Sequence, residues 1–394
     1  MILFINLLLA RVEATSWSPA TQLTFTDPAW DTDPAIVQTA DGTVWVAWAS
    51  DRERVQNDIY YKTSTDNGTS WTSDTRLTFA DPAEDITPSI IQTADGTVWV
   101  AWASDRTENN FELFYKTSTD NGTSWTSDTQ LTSNSSLDVS PSIMQHHNGT
   151  IWVAWYRDMA GNYDIFYKTS PDNGLTWSPE TRLTTDSSWD LDPSIIQALD
   201  GTIWAVWTSY RNNNYDIFYK TSTNNGVSWS PETPLTTHGD FDEASAITQA
   251  RDGSLWVVWH SDRKGKQYDL YYETSSDHGL TWSEDTPLTT DSKDDMSPTV
   301  MNSNEGRIWI AWTSARIGDQ FEIYYKTSDI ISVPIPGDVN GDGKVDASDL
   351  SDLSKAYGSS PGDLNWNPNC DFNKDNKVDA SDLFDLSKNY EKTS

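Results

Sequence analysis

Two segments near the C-terminus place oxygen-bearing side chains at the spacing a hard cation needs. The first carries Asp338, Asn340, Asp342, Asp346 and Asp349, and the second Asp371, Asn373, Asp375, Asp379 and Asp382. In each, side-chain oxygens fall at positions 1, 3, 5, 9 and 12 of a loop, and Lys344 or Lys377 at position 7 offers its backbone carbonyl, the ligand pattern of a calcium loop. Asp replaces the usual Glu at position 12, and Asn376 stands where the second loop needs a left-handed turn, which Asn tolerates best after Gly. The reading predicts two bound Ca2+ ions. A second set of reactive residues is repeated along the chain. Arginines recur as Arg52, Arg106, Arg157, Arg211, Arg263 and Arg316, and aspartates as Asp31, Asp85, Asp138, Asp190, Asp242 and Asp295. Guanidinium and carboxylate pair in a fork geometry, so the simplest use of the two sets is an ion pair locking one repeat to the next.

These residues sit in a repeat of 52–54 residues. The pair Ser/Thr-Trp ends at Trp17, Trp71, Trp125, Trp177, Trp229 and Trp282, and Trp-x-x-Trp recurs from Trp45/Trp48 to Trp309/Trp312. Of the 21 tryptophans only Trp30, Trp189 and Trp366 stand outside the pattern. Each unit reads as four short strands, for example 88–92, 97–102, 112–118 and about 123–132, with an Ala-Asp-Gly-Thr hairpin between the first two. The second strand is apolar on both faces, as expected between packed sheets, and its tryptophans, three apart, point to opposite faces. Four antiparallel strands at this period are the signature of a propeller blade; a β-solenoid is the competing reading. The chain opens with a fourth strand at 15–24 and closes with three strands at 297–328. The fold class is therefore an all-β six-bladed β-propeller over 15–331, its ring closed by the N-terminal strand, which removes the open edge.

Strand direction alternates, so the arginine loops and aspartate loops share one rim. Trp30 and Trp189 break the symmetry of that rim, with Tyr163, Tyr215 and Tyr268 beside it, and an exposed ring there can stack on a sugar face. Blade packing is the other use of the tyrosines. Glu243, Tyr156 and Tyr210 are non-repeated groups that could serve chemistry at the centre. His146 and His147 fall in a turn on the opposite rim and read as surface residues rather than metal ligands.

Between the third and fourth strands, Ser64-Thr-Asp66-Asn-Gly68-Thr-Ser-Trp71 recurs at 118–125, 170–177, 222–229 and 275–282, with Asn224 replacing Asp in one copy. This resembles the Asp-box, Ser-x-Asp-x-Gly-x-Thr/Ser-Trp, of bacterial neuraminidase repeats. The resemblance implies a sialidase-like propeller, whose relatives use three arginines, an acid/base Asp and a Tyr–Glu nucleophile pair. It suggests sugar-carboxylate binding for some of the six rim arginines, but the family's Arg-Ile-Pro signature is absent and no singular catalytic set stands out. After a proline-rich linker at 332–337, the duplicated loop is followed each time by one amphipathic helix, with Leu350, Leu353 and Tyr357, then Leu383, Leu386 and Tyr390, on its stripe. A duplicated loop–helix unit with Asp at position 12 resembles a type I dockerin over 338–394. That resemblance implies docking of residues 338–391 to a cohesin domain of an extracellular scaffold, usually in polysaccharide-degrading assemblies.

The net charge of -33 argues against nucleic acid as a partner. The module carries six basic and 12 acidic residues from Gly337 on, which leaves -27 on the rest and disfavours strongly anionic glycans. No apolar run is long enough to span a membrane. Residues 2–10 suit the apolar core of a secretory signal but lack its positive start, so 1–14 reads as a signal remnant or as a buried strand. The single cysteine, Cys370, excludes an intrachain disulfide framework. The combined reading is a monomeric propeller, extracellular or at the cell surface, that carries calcium and binds a glycan with little or no sialidase activity. An exo-acting sialidase-type hydrolase and a structural protein-interaction propeller are the alternatives.

Overall fold

The computed structural model describes residues 15–25, 29–52, 56–79, 83–107, 110–265, 267–316, 320–331, 337–340, 344–373 and 375–392. The candidate signal segment, most of the linker and Asp342 lie outside the described residues. Two compact units divide near Asp329. No helix among the described residues is long and apolar enough to cross a membrane.

The first unit is a ring of six four-stranded antiparallel sheets. The innermost strands are Asp31–Gln38, Asp85–Gln92, Asp138–Gln145, Trp189–Gln197, Asp242–Gln249 and Asp295–Asn302. Each touches the next, and the last touches the first. The sixth sheet is completed from the other end of the chain: Thr21–Gln22 pairs with Glu322–Ile330, setting Thr21 opposite Tyr325 and Gln22 opposite Tyr324. The fourth strands are shorter than the sequence suggests, two paired residues each, such as Thr129–Gln130.

Packing follows from the second strands, which are buried on both faces. Trp99 packs into the third blade and Trp102 into the first. The Asp-box makes room for this: a Cβ on Gly122, at φ +78°, would lie 2.4 Å from Cη2 of Trp45 in the preceding blade. Glycine is required twice over, for the left-handed turn and for the indole lying on it. The neighbouring Asn121 donates to Asp41 of the same preceding blade at 2.8 Å. Lysines add a second tie between blades. Lys62 reaches the Leu23 carbonyl of the closing strand at 2.9 Å, and Lys116 that of Leu77 at 3.0 Å.

Every innermost strand carries a bulge near its start, as between Thr32 and Ala35. The residue in the bulge has positive φ in all six blades: Asp33, Thr87, Ser140, Asp192, Ala244 and Ser297, at 48–53°. In five blades a proline follows, which bars the right-handed helical region to the residue before it. The bulge breaks the strand's alternation and turns one side chain per blade toward the ring's axis.

The second unit holds two helices, α1 (Ala347–Ala356) and α2 (Ala380–Asn389). Asp346 and Asp379 cap them, and Asp349 and Asp382 complete capping boxes, so the Asp-x-x-Asp spacing of the loops also starts the helices. Val339, Val345, Leu353, Ala356, Cys370, Val378 and Leu386 form the core. Of the expected apolar stripes only Leu353 and Leu386 are buried; Leu350, Leu383, Tyr357 and Tyr390 are exposed. A core this small takes only Leu353 and Ala356 from α1 and Leu386 from α2, and both tyrosines fall at the C-caps, beyond the last turn.

A central cavity with three carboxyl groups

The bulges open onto a cavity of about 320 Å³ at the ring's axis. The bulge residue of each blade and the residue that follows it build most of the wall, with Thr208 and His260 added from the position after the second tryptophan, and here the repeat breaks down. Asp33 and Asp192 are the only carboxyls among the six bulge residues. The position after the second tryptophan is Ala49, Ala103, Tyr156, Thr208, His260 and Thr313. Glu243, just before the fifth bulge, adds a third carboxyl. Among the described residues no lysine or arginine lines this cavity.

Hydrogen bonds fix these groups. The Ser140 hydroxyl donates to Asp192 Oδ1 at 2.8 Å, and Ser297 is hydrogen-bonded to Asp33. The Ser297 N–H donates to His260 Nδ1 at 3.2 Å, so neutral His260 carries its proton on Nε2, which lies 3.4 Å from Glu243 Oε2. Tyr268 is hydrogen-bonded to Glu243 and packs edge-on against His260 at 4.8 Å. Asp33 and Asp192 are half-buried by exposed area, yet protein walls the cavity around them, and desolvation pushes both carboxyls above 3.8. Asp33 raises Asp192 further, and Glu243 does the same. Burial pushes Tyr156 well above the ordinary phenol value, with Asp192 the next cause, and burial followed by Glu243 carries Tyr268 to about 12.

Beside the cavity runs a continuous aromatic wall over blades three to five. Tyr156 meets Tyr163 at 5.8 Å, Tyr163 meets Trp189 at 5.5 Å, Trp189 meets Tyr210 at 5.6 Å, Tyr210 meets Tyr215 at 4.6 Å, and Tyr215 meets Phe241 at 5.3 Å. On the first blade, Trp30 stands edge-on to Phe321 at 5.5 Å.

The six rim arginines are engaged elsewhere. Arg52 bridges Asp31 at 3.1 Å and Asp74 at 2.7 Å. Arg106 bridges Asp85 and Asp128, and Arg157 bridges Asp138 and Glu180. Arg211 holds Asp190 and Glu232, Arg263 holds Asp242 and Asp285, and Arg316 holds Asp295 and Asp291. In the first five blades both pairs lie within one blade, not between blades as expected, because the arginine stands at the end of the second strand and its partners at the starts of the first and fourth; in the sixth, Asp295 is of the same blade but Asp291 comes from the loop that follows the fifth blade's last strand. Each guanidinium also stacks on a ring of its own blade's third strand, as Arg52 does on Tyr60 at 4.3 Å. His146 is buried, not a surface residue: its Nε2 meets Asn225 and Gln197, each at 2.8 Å.

In the second unit the position-12 carboxylates are fully buried. Asp349 accepts from the Val339, Asn340 and Asp346 amides at 2.8–3.2 Å, and Asp382 from the Phe372, Asn373 and Asp379 amides at 2.7–3.4 Å. Asn376 adopts φ 66°, the left-handed turn the loop needs. The donors are all hard oxygens and the turn is formed, so the residues present fit calcium, although among the described residues no three carboxylates already converge on one point.

Of the residues that carry this geometry, the sequence reading had Glu243, Tyr156, Tyr163, Tyr210, Tyr215, Tyr268, Trp30 and Trp189. It missed Asp33, Asp192 and His260; aligning the six repeats and asking where they differ would have found all three.

The chain matches the model of the BNR repeat-like domain over residues 5–179 and 82–310, and that of the dockerin type I domain over 336–389. No curated protein matches it in sequence. Among solved structures, a Dyadobacter fermentans protein of unknown function is similar at TM-score 0.69 and 15% identity, covering 81% of this chain and 100% of that one. A Hadza microbial sialidase is similar at TM-score 0.61 and 17% identity, covering 76% and 65%. Penicillium chrysogenum α-L-arabinanase, solved with arabinobiose, is similar at TM-score 0.61 and 16% identity, covering 77% and 94%.

Proposed function

Since this chain belongs to the BNR repeat-like family and ends in a type I dockerin domain, we propose that it is a glycoside hydrolase for a neutral glycan, acting at the propeller's central cavity outside the cell. The observation that carries this is the convergence of Asp33, Asp192 and Glu243, from three different blades, on one cavity. Glycoside hydrolysis needs one carboxyl that holds a proton and one that does not, on either side of the scissile bond. Asp33 and Asp192, both pushed upward by desolvation, suit the proton-holding role. Glu243, oriented by Tyr268 and facing His260, suits that of base or nucleophile. A module that only binds sugar gains nothing from burying such groups, which costs stability. Three carboxyls without a facing guanidinium repel a sialic acid carboxylate, and the Penicillium arabinanase shows that a similar fold accommodates arabinobiose.

The dockerin would tether this activity to a cohesin-bearing scaffold. Type I dockerins bind calcium; here Asp338, Asn340, Asp346 and Asp349, with the Lys344 carbonyl, and Asp371, Asn373, Asp375, Asp379 and Asp382, with the Lys377 carbonyl, would hold one ion each, Asp342 completing the first set. When bound, the ion supplies charge that draws each loop together.

The test is turnover. The full chain is assayed on linear arabinan, xylan and mixed-linkage glucan, beside a fluorogenic sialoside. Reducing sugar should appear from at least one neutral polymer, and Glu243→Gln should lower that rate about 10²–10⁴-fold. Turnover of the sialoside alone, or of nothing, would refute the reading.

A further inference from the structure

The first blade reads Trp30-Asp31-Thr32-Asp33-Pro34 and the fourth Trp189-Asp190-Leu191-Asp192-Pro193. No other blade has this Trp-Asp-x-Asp-Pro pattern; Glu84, Leu137, Phe241 and Asp294 hold the tryptophan position there. The ring order of the innermost strands separates blades one and four by two blades on either side. The two motifs therefore face each other across the axis, each giving a carboxyl to the cavity and an indole to the rim, about 10 Å further up the strand.

Both indoles are rigid and open. Trp30 is 49% exposed with one edge against Phe321. Trp189 is 39% exposed, lies at 89° to Tyr163 and at 33° to Tyr210, which covers part of one face, and donates from Nε1 to the Gly161 carbonyl at 3.1 Å. A ring held by its neighbours presents its remaining open face with little side-chain freedom left to lose on binding. The cavity between them is acidic, which disfavours an anionic ligand.

We infer that an internal stretch of a neutral polysaccharide lies across the cavity mouth along the diameter from blade one to blade four, its sugars stacked on Trp30 at one end and Trp189 at the other. The chain then continues past the carboxyls on both sides, so cleavage falls within it. This rests on the hydrolase reading and adds the direction and the mode of attack. A pocket for a chain end needs one aromatic wall and a closed far side; the duplicated motif instead sets an indole on each side.

The full chain is tested on linear arabinan, xylan and mixed-linkage glucan, recording viscosity against reducing ends and retardation in gels containing each polymer. Viscosity should fall well ahead of reducing-end release. Trp30→Ala and Trp189→Ala should each weaken retardation about tenfold, and Trp30→Tyr and Trp189→Tyr, which keep a stacking face, should restore most of it. Release of reducing ends without early loss of viscosity, or wild-type retardation in either alanine variant, would overturn the crossing while leaving the hydrolase reading intact. A wild type that degrades none of the three polymers would overturn both.

Discussion

Asp192→Asn should stabilise the protein and disable it at once. The Asp192 carboxyl is raised above 3.8 chiefly by desolvation, and the Ser140 hydroxyl that donates to it at 2.8 Å can bond an amide oxygen equally well. The substitution keeps shape and hydrogen bond and removes a charge that Asp33 and Glu243 repel. An uncompensated buried polar group costs about 1–3 kcal/mol, and since Asp192 opens onto a cavity that water can reach, the low end applies. A raised folded-state value means that the stability contribution is complete below the unfolded value near 3.8 and is lost as pH rises through the folded one. The gain from Asn is therefore absent at pH 3.5 and largest at pH 8, where melting should rise by about 2–4 °C. Calorimetry at the two pH values, with hydrolysis measured in parallel, checks both halves. If Asp192→Asn melts below wild type at pH 8 by the same margin as at pH 3.5, the carboxyl is a structural acceptor and the strain assigned to it does not exist.

Three further outcomes are expected. Gly122→Ala and Gly96→Ala both force alanine to positive φ, but a Cβ on Gly96 meets nothing within 4 Å; thermal unfolding should show an extra loss of about 1–3 kcal/mol for Gly122→Ala alone, and equal losses would deny the indole its role. Glu273 stands where other blades have the blade-tying lysine, and burial, followed by Asp285, pushes it up to about 9. Stability from this group is present below the unfolded value and declines towards pH 9, so Glu273→Gln should remove a slope of up to about 1.4 kcal/mol per pH unit between pH 5 and 9; unchanged slopes in urea titrations would count against it. Chelating calcium from the full chain should lower far-UV helicity while the propeller's own melting transition stays in place; a single transition unaffected by chelator would contradict the calcium loops.

The fold was readable because it is written six times. Eighteen periodic tryptophans, a hairpin turn and an Asp-box leave few architectures, and the offset of the first strand dictates closure, as Thr21 opposite Tyr325 bears out. The same repetition hid the site. Arg52 and its five counterparts stand out because they recur, whereas Asp33, Asp192 and His260 matter because their counterparts are Thr87, Ser140, Ala244 and Ser297, or Ala49, Ala103, Tyr156, Thr208 and Thr313. The bulge was not visible either: alternation alone sends Asp31 and Asp33 to the same face. Only the left-handed step at residue 33 aims its carboxyl at the axis while Asp31 stays with Arg52. In the C-terminal module, ligand spacing was plain, but the double use of Asp346 and Asp349 as a helix cap was not, since the two roles share one spacing.

On the proposed hydrolase reading, the arginine sets bear on which sugar the propeller would hold. In the first five blades each guanidinium joins the start of its blade's first strand to an acid before the fourth, over a ring of the third, so it fastens the blade along its rim. Recruiting Arg157 to a sugar carboxylate would strand Asp138, fully buried and held at 2.6 Å, together with Glu180. Breaking such a pair by removing one partner costs about 3–5 kcal/mol, more than one exposed ion pair with a ligand returns, at about 0–1 kcal/mol. The same ledger applies at Arg263, whose partners are Asp242 and Asp285. A sialoside would thus have to bind without an arginine clamp and beside three carboxyls. A neutral polymer meets neither obstacle, and the aromatic wall from Tyr163 to Phe241 offers it the contacts that charge cannot.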